Sequence, residues 1–165
     1  MEIYSRKKSV EINLAGPDRL SVNAVFKDSV HEIRVRIMVG FPEMVIRDAQ
    51  VEFVSCPWDL CYEAAGVMSR LVGLKLGRGI RKTVKEAVAG SDGCSHLGEL
   101  MSEVMQALMQ AHYRTQLYLL DPEERAQATI STLKGTCRAF SDPERQPVPL
   151  GNWTTMQSEK SMEEI

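Results

Sequence analysis

The stretch His31–Val39, HEIRVRIMV, carries an apolar residue at every second position. In an extended strand this alternation puts four apolar side chains on one face, and we place His31 and the charged residues on the opposite face. The four apolar residues are Ile33, Val35, Ile37 and Val39. The pattern predicts a β-strand that is buried on one side and faces solvent on the other.

Three more extended runs surround this strand in the chain: Val10–Leu14, Leu20–Phe26 and Met44–Val54. The turn signals GPD, at residues 16–18, and FPE, at residues 41–43, interrupt the alternation. Because short turns connect antiparallel neighbours, this part of the chain predicts an antiparallel meander of three to four strands.

From Pro57 onward the apolar spacing changes from two residues to about 3.6, which predicts helices. The first three helices are expected to begin at Pro57, at Ile80 and close to Leu97, and the fourth runs from Pro122 to Arg138. The first helix is predicted to end at Leu76 and to bury Leu60, Ala64, Val67, Leu71 and Leu74. Helices that pack on one face of an antiparallel sheet give an α+β fold.

The composition predicts one compact domain, because the chain has 165 residues and 44% of them are hydrophobic. We expect residues 1–141 to form a single α+β domain and residues 142–165 to form a C-terminal arm with a disordered tail. The net charge of −2 gives no reason to expect a nucleic acid or a membrane as partner. No apolar run of signal-peptide length follows the basic N-terminus, so we expect a cytoplasmic protein with reduced thiols.

Cysteine and histidine form the most informative chemical pattern. Cys56 lies where a strand gives way to a helix, Cys61 follows about one turn later, and Cys94 and His96 flank the start of the third helix. A strand end and a helix start can lie side by side in this fold, and thiolates with imidazole are ligands of zinc and iron–sulfur units. The C-x4-C spacing is not a standard zinc motif, so the alternative is that these thiols are buried core residues.

The N-cap of the third helix decides whether Cys94 and His96 can act together. If the helix runs through Cys94, this side chain joins the buried stripe and His96 points away, about 200° around the helix axis. If Ser95 is the N-cap, both side chains can face one point beyond the helix start, where the helix dipole would stabilise a thiolate. The sequence leaves both arrangements open.

The two remaining histidines and the last cysteine have simpler explanations. His31 is either functional or a solvated strand residue. His112 continues the apolar stripe of the third helix and is expected to be a core histidine, and Cys137 is expected to be packed.

Two sequence resemblances add to this interpretation. The run LVGLKLGRGIRKTVKEAVAGSDGCSHLGEL, with IRDA before it and LKGTC after it, is similar to an uncharacterised bacterial family classed as a domain of unknown function. Members of that family carry L-V-G-L-x-[IL]-G-x-G followed by G-C-[ST]-H-L-x-E-L. The resemblance implies that Cys61, Cys94, His96 and Cys137 occupy family positions, and it implies no activity.

The second resemblance is to the NifU-like iron–sulfur cluster scaffolds. The segment IRDAQV, with Cys56 ten residues after its isoleucine, is similar to their I-x-D-A-x-F…C segment, and CSHLGE resembles their C-S-x-L-x-E at a helix start. The resemblance implies a scaffold-type fold and puts Asp28 near the position of their aspartate. Two positions depart from the pattern, because their first cysteine falls on Phe26 and the histidine before their last cysteine falls on Gly93.

The sequence therefore favours a cysteine-centred site made of Cys56, Cys94 and His96 and completed by Cys61 or Asp28. Such a site would bind zinc or an iron–sulfur unit, or would carry sulfur as a persulfide, and we expect a scaffold or carrier rather than an enzyme.

Two other functions remain open at this point. In a non-catalytic interaction module the cysteines would be structural, and either the Met-rich third helix or a basic face would dock a protein partner. The residues of this basic face are Arg78, Arg81, Lys82 and Lys85. In a thiol hydrolase or transferase Cys94 would be the nucleophile and His96 the base, with Glu99 as the nearest acid to orient the imidazole.

Overall fold

A computed structural model describes residues 1–117 and 120–142 of the chain. A four-stranded antiparallel sheet comes first, with its strands in the order β1-β2-β3-β4. The strands are β1 (Arg6–Leu14), β2 (Arg19–Asp28), β3 (Glu32–Gly40) and β4 (Val45–Ser55). The predicted meander is confirmed, although β1 begins before the predicted Val10, because the polar residues from Arg6 onward also pair with β2, Arg6 opposite Asp28.

One face of the sheet is buried and the other is solvated, as the alternation in β3 predicts. Phe26, Ile33 and Ile46 have no exposed surface, whereas the intervening Arg34 and Arg36 are exposed. The buried face packs into one hydrophobic core with the apolar side chains of the helical segments that follow. Burial of this area supplies the main driving force for folding, at about 25 cal/mol per Å² of apolar surface.

The helical segments after the sheet are a 3₁₀ segment (Asp59–Leu71), α1 (Ile80–Val88), α2 (Ser95–Leu117) and α3 (Pro122–Leu133). A short 3₁₀ turn, Arg138–Phe140, follows α3. The observed sequence of a four-stranded antiparallel sheet followed by helices makes the fold α+β, as predicted.

The first predicted helix is wrong in its type and in both of its ends. The segment begins at Asp59 rather than Pro57 and has three residues per turn. With that period Leu60 aligns with exposed positions such as Glu63 and Gly66 instead of the buried face, and its side chain is 68% exposed. Ala64, Val67 and Leu71 are buried as expected.

Residues 73–76 do not continue this helix because they pair with the edge of β4 instead. The Gly73 N–H donates to the Ile46 carbonyl (2.8 Å), the Ile46 N–H donates to the Leu74 carbonyl (2.9 Å), and the Leu76 N–H donates to the Met44 carbonyl (2.7 Å). Gly73 turns the chain toward the strand with φ +89°, a conformation that favours glycine.

The turn between α1 and α2 passes very close to the end of α1. The Cys94 N–H donates to the Val88 carbonyl (3.0 Å), and a Cβ atom at Gly93 would lie 2.2 Å from that carbonyl oxygen. Arg70 of the 3₁₀ segment pairs with Asp92 in the same turn. Glycine at position 93 therefore permits the approach that places Cys94 at the start of α2.

The chain divides into two compact units, residues 1–111 and residues from 112 onward. In the second unit α3 begins at Pro122 as predicted, and Asp121 caps it, because its carboxylate accepts hydrogen bonds from the Glu123 and Glu124 N–H groups (both 2.9 Å). α3 ends at Leu133, short of the predicted Arg138, and Gly135 follows with φ +74°.

Two predictions about domain organisation stay predictions. The single domain over residues 1–141 is one of them, and the arm and tail over residues 142–165 lie, apart from residue 142, outside the described residues. Among the helices of residues 1–117 and 120–142, none combines the length and the apolar character needed to cross a membrane.

We predict that Gly93→Ala destabilises the protein by about 1–3 kcal/mol, because the added methyl group collides with backbone atoms that cannot rotate away. Urea denaturation followed by circular dichroism measures the change. Gly66→Ala is the matched control, since a Cβ at Gly66 has no neighbour within 4 Å. Equal stability of the two variants would contradict the role assigned to Gly93.

Candidate metal-binding site

Asp28 is the most constrained polar residue at the end of the sheet. It closes β2, and its side chain is only 2% exposed. Its Oδ1 atom accepts hydrogen bonds from the Val30 N–H (3.0 Å) and the His31 N–H (2.8 Å), and it lies 3.0 Å from His31 Nδ1. One carboxylate oxygen therefore holds both the backbone turn between β2 and β3 and the His31 side chain.

The balance of burial and hydrogen bonding determines the charge of Asp28. Burial raises the pKa of this carboxyl, but the bonds from the Val30 and His31 N–H groups and from the His31 ring outweigh burial, and the pKa lies well below its usual range. Asp28 is thus ionised and can only accept hydrogen bonds, so His31 Nδ1 carries the proton in this contact.

His31 lies on the helix-covered face of the sheet, and the prediction that it lies on the opposite face is wrong. It immediately precedes β3 and lies two residues before Ile33. In an extended chain, residues two apart direct their side chains to the same side of the sheet. Its side chain is 14% exposed, and its ring centroid is 4.2 Å from that of His96. The interpretation of His31 as a solvated strand residue is therefore also wrong.

His96 brings the start of α2 to the same point. Its ring packs on Phe26 of β2, with 5.1 Å between ring centroids, as well as on His31. Burial lowers the pKa of His96, and the neighbouring His31 lowers it further, whereas Asp28 raises it. These effects together keep the imidazole neutral, which is the form that binds metal ions.

Asp28, His31 and His96 together form a potential metal-ligand group. One ligand atom from each of the three residues lies within 4.8 Å of the other two. The sequence had identified Asp28 and His96 but had not included His31 in the site. Counting back in steps of two from Ile33 would have placed His31 on the buried face of the sheet.

Basic residues of β1 surround this group. The Arg6 guanidinium stacks over the Phe26 ring at 4.9 Å from its centroid and lies 3.7 Å from Asp28 Oδ2. It also pairs with Glu99 at 3.0 Å, and Lys8 pairs with the same Glu99 oxygen at 3.3 Å. Glu99 is thus engaged with β1, which weakens the case for a hydrolase in which it orients His96.

The predicted cysteines meet the histidines in one pocket of about 620 Å³. Its chemically reactive lining consists of His31, Cys56, Cys61, Cys94 and His96. The structure thus brings together the three cysteines and the histidine expected from the sequence, and it adds His31. Asp28 contacts this group through its hydrogen bond to His31.

Cys56 is electrostatically coupled to the other two thiols. Burial raises the pKa of the Cys56 thiol to about 11, with further contributions from the charges of Cys61 and Cys94 and from a hydrogen bond with Cys61. Cys56 is therefore a protonated thiol near neutral pH. Cys137, by contrast, is exposed at the end of the second unit, so the expectation that it is packed is wrong.

Cys94 rather than Ser95 is at the N-cap of α2. The Cys94 carbonyl accepts the first helical hydrogen bond, from the Gly98 N–H at 2.9 Å, and the helix begins at Ser95. The structure thus matches neither arrangement that the sequence left open, a helix that runs through Cys94 or an N-cap at Ser95. From the N-cap position Cys94 is half-buried and packs against the hydrophobic core. His96 follows in the first turn, and both side chains line the same pocket.

The predicted basic face is exposed on and beside α1. Arg81, Lys82 and Lys85 line an open depression of about 460 Å³ together with the apolar side chains of Ile80 and Met109. Lys82 also lies 3.8 Å from Glu86, one turn away.

The chain matches a family described as a protein of unknown function (DUF2889) over residues 9–110. It belongs to this family. The matched region contains Asp28, His31, the three pocket cysteines and His96, and it ends within α2. No curated protein and no solved structure matches the chain.

We predict that Asp28→Asn lowers stability at pH 7 by about 1–3 kcal/mol, because the hydrogen bonds to the carboxylate become bonds to a neutral amide. The folded-state pKa of Asp28 is below the unfolded value of about 3.9, so its stabilisation is complete well above that value and is lost progressively as the pH falls from there through the folded-state pKa. Urea denaturation between pH 7 and pH 3 measures both effects.

The stability difference between the wild type and Asp28→Asn should therefore shrink below about pH 5. Asp48→Asn is a suitable control, because Asp48 is an exposed carboxylate on β4. A difference that stays constant over this pH range would contradict the role of the Asp28 charge.

Proposed function

We propose that this protein binds a single zinc ion, or another ion that prefers nitrogen and sulfur ligands, in the pocket between His31, His96 and the three cysteines. The observation that carries this proposal is the approach of the Asp28, His31 and His96 ligand atoms to within 4.8 Å of one another. Two nitrogen ligands on a tetrahedral zinc ion are about 3.3 Å apart, given bonds of about 2.0–2.1 Å. This spacing lies inside the 4.8 Å limit, so ion binding would draw the ligand atoms together.

Within this proposal Asp28 orients His31 rather than coordinating the ion. Its Oδ1 atom already receives three donors, and the Nδ1–H of His31 is one of them. A carboxylate that binds one ring nitrogen fixes the tautomer and turns the other nitrogen toward the ion. His31 and His96 would then be the imidazole ligands.

Thiols would complete the coordination. Cys94 is two residues from His96 at the start of the same helix, and Cys56 and Cys61 lie on the same pocket. Imidazole and thiolate together suit zinc, whereas magnesium and calcium prefer oxygen ligands. A carrier or scaffold role agrees with such a site, and a reducing compartment such as the cytoplasm would keep its thiols available.

An iron–sulfur unit or a persulfide would use the same thiols, as the resemblance to the NifU-like scaffolds suggests. An iron–sulfur unit needs mainly thiolate ligands, whereas the residues whose ligand atoms approach one another are two imidazoles with Asp28 beside them. This group favours zinc over the cluster. The visible absorbance of protein purified without oxygen distinguishes an iron–sulfur cluster from zinc, because a bound zinc ion absorbs no visible light.

We predict stoichiometric Zn²⁺ binding to protein stripped of metal by a chelator, measured by calorimetry. Co²⁺ in place of Zn²⁺ should give the visible absorption of a tetrahedral site. His31→Ala and His96→Ala should weaken binding by at least about 100-fold, and Asp28→Asn by about 10–100-fold, as an orienting residue does.

Two variants serve as controls for this titration. Cys137→Ser removes the exposed cysteine and His112→Gln removes the histidine of the second unit, and neither should change the affinity. If Zn²⁺ fails to bind, or binds His31→Ala and His96→Ala as tightly as the wild type, the proposed site is wrong.

The basic face on α1 supports a second candidate function, the docking of an acidic protein segment. Three cations border an open depression that also presents Ile80 and Met109, so charged and apolar contacts are available together. An acidic peptide labelled with a fluorophore should bind with an affinity that falls with salt and is lost in Arg81→Glu/Lys85→Glu. If this variant binds the peptide as tightly as the wild type, the basic face is not the docking site. His96→Ala is the matched control and should bind the peptide normally.

A further inference from the structure

Cys56 and Cys61 are neighbours on one wall of the pocket. Both are half-buried, and both line the same 620 Å³ space. The chain between them is a short turn through Pro57 and Trp58, closed by a hydrogen bond from the Cys61 N–H to the Trp58 carbonyl (3.2 Å). Both thiols are therefore carried by one short segment that is separate in the chain from α2.

We propose that Cys56 and Cys61 form a redox-active dithiol that a small-molecule disulfide such as glutathione disulfide converts to an intramolecular disulfide. This inference does not depend on the proposed metal ion, because it concerns the thiols of the metal-free protein. It assigns a covalent chemistry to two cysteines that the family description leaves without a role.

The reaction proceeds by two exchanges. The thiolate of one cysteine attacks the small disulfide, forms a mixed disulfide and releases one small thiol. The second cysteine then attacks the protein sulfur of the mixed disulfide, forms the Cys56–Cys61 bond and releases the second small thiol. The two protein thiols lose two electrons and two protons in total, and the small disulfide gains both.

Cys61 is a better partner for Cys56 than Cys94 is. Cys61 lies in the same short segment as Cys56, five residues further along the chain, and both thiols line the same pocket. Cys94 is also held by its own backbone bonds, to Val88 and Gly98, at the start of α2. Formation of the Cys56–Cys61 bond would remove two of the three thiols from the pocket and leave Cys94 with the two histidines.

The pocket gives a small oxidant access to this pair. Trp58, between the two cysteines in sequence, is 72% exposed and lines the same space. The exposed Leu60 and Tyr62 continue the apolar surface on either side of Cys61. The thiols are thus half-buried beside an open rim rather than enclosed in the core.

The test uses the full-length chain carrying Cys137→Ser, in the presence of a chelator, incubated with glutathione disulfide. Remaining thiols are alkylated, and intact mass and peptide mapping follow. We expect the count of free thiols to fall from three to one, with no glutathione retained and with Cys94 as the alkylated residue. Chymotrypsin cleaves after Trp58, so the two cysteines stay together after cleavage only if a disulfide joins them.

Two further variants in the same background test the pairing. Cys94→Ser should still lose both of its remaining thiols, whereas Cys61→Ser should stop at a mixed disulfide with glutathione. A Cys94→Ser protein that keeps both thiols reduced, or a map that joins Cys56 to Cys94, would overturn the proposal. Because no metal is present, neither outcome bears on zinc binding, which the calorimetric titration tests separately.

Discussion

The burial of one face of a four-stranded sheet is the constraint on which the remaining structure depends. Alternating side chains in β2, β3 and β4 give the sheet an apolar face, and the helical segments that follow it cover that face. The pairing register of these three strands puts their buried positions on the same side of the sheet. The 3₁₀ segment, α1 and α2 are therefore held by packing on this surface more than by their intrinsic propensities.

The candidate site lies where this apolar face ends. The turn after β2, the end of β4 and the start of α2 each bring polar or thiol side chains to this end of the sheet, and Asp28, His31, Cys56, Cys94 and His96 are the result. The carboxylate of Asp28 is stable there because it receives three hydrogen bonds and faces Arg6. A buried charge with this many partners costs little, whereas an unpartnered one would be strongly destabilising.

The site separates into two chemically different halves. Asp28, His31 and His96 form a nitrogen and oxygen group contributed by the turn after β2 and the start of α2, and Cys56 and Cys61 line the same pocket from one short segment after β4. Cys94 lines the pocket from the N-cap of α2. A protein that binds a metal ion with the first half and exchanges thiols in the second would couple its metal content to the surrounding redox state, because both halves line one pocket.

The meander, the α+β class and the start of α3 could be read from the sequence, because they follow from local periodicity and turn residues. The cysteines and His96 of the candidate site were singled out by their chemistry, and they line one pocket. The type of the 3₁₀ segment was misjudged, because the apolar spacing at Ala64, Val67 and Leu71 suits both helix types. The approach of His96 to His31 came only from the tertiary structure. It depends on packing of the start of α2 against the end of β2, about 70 residues earlier in the chain, and no local pattern encodes such a contact.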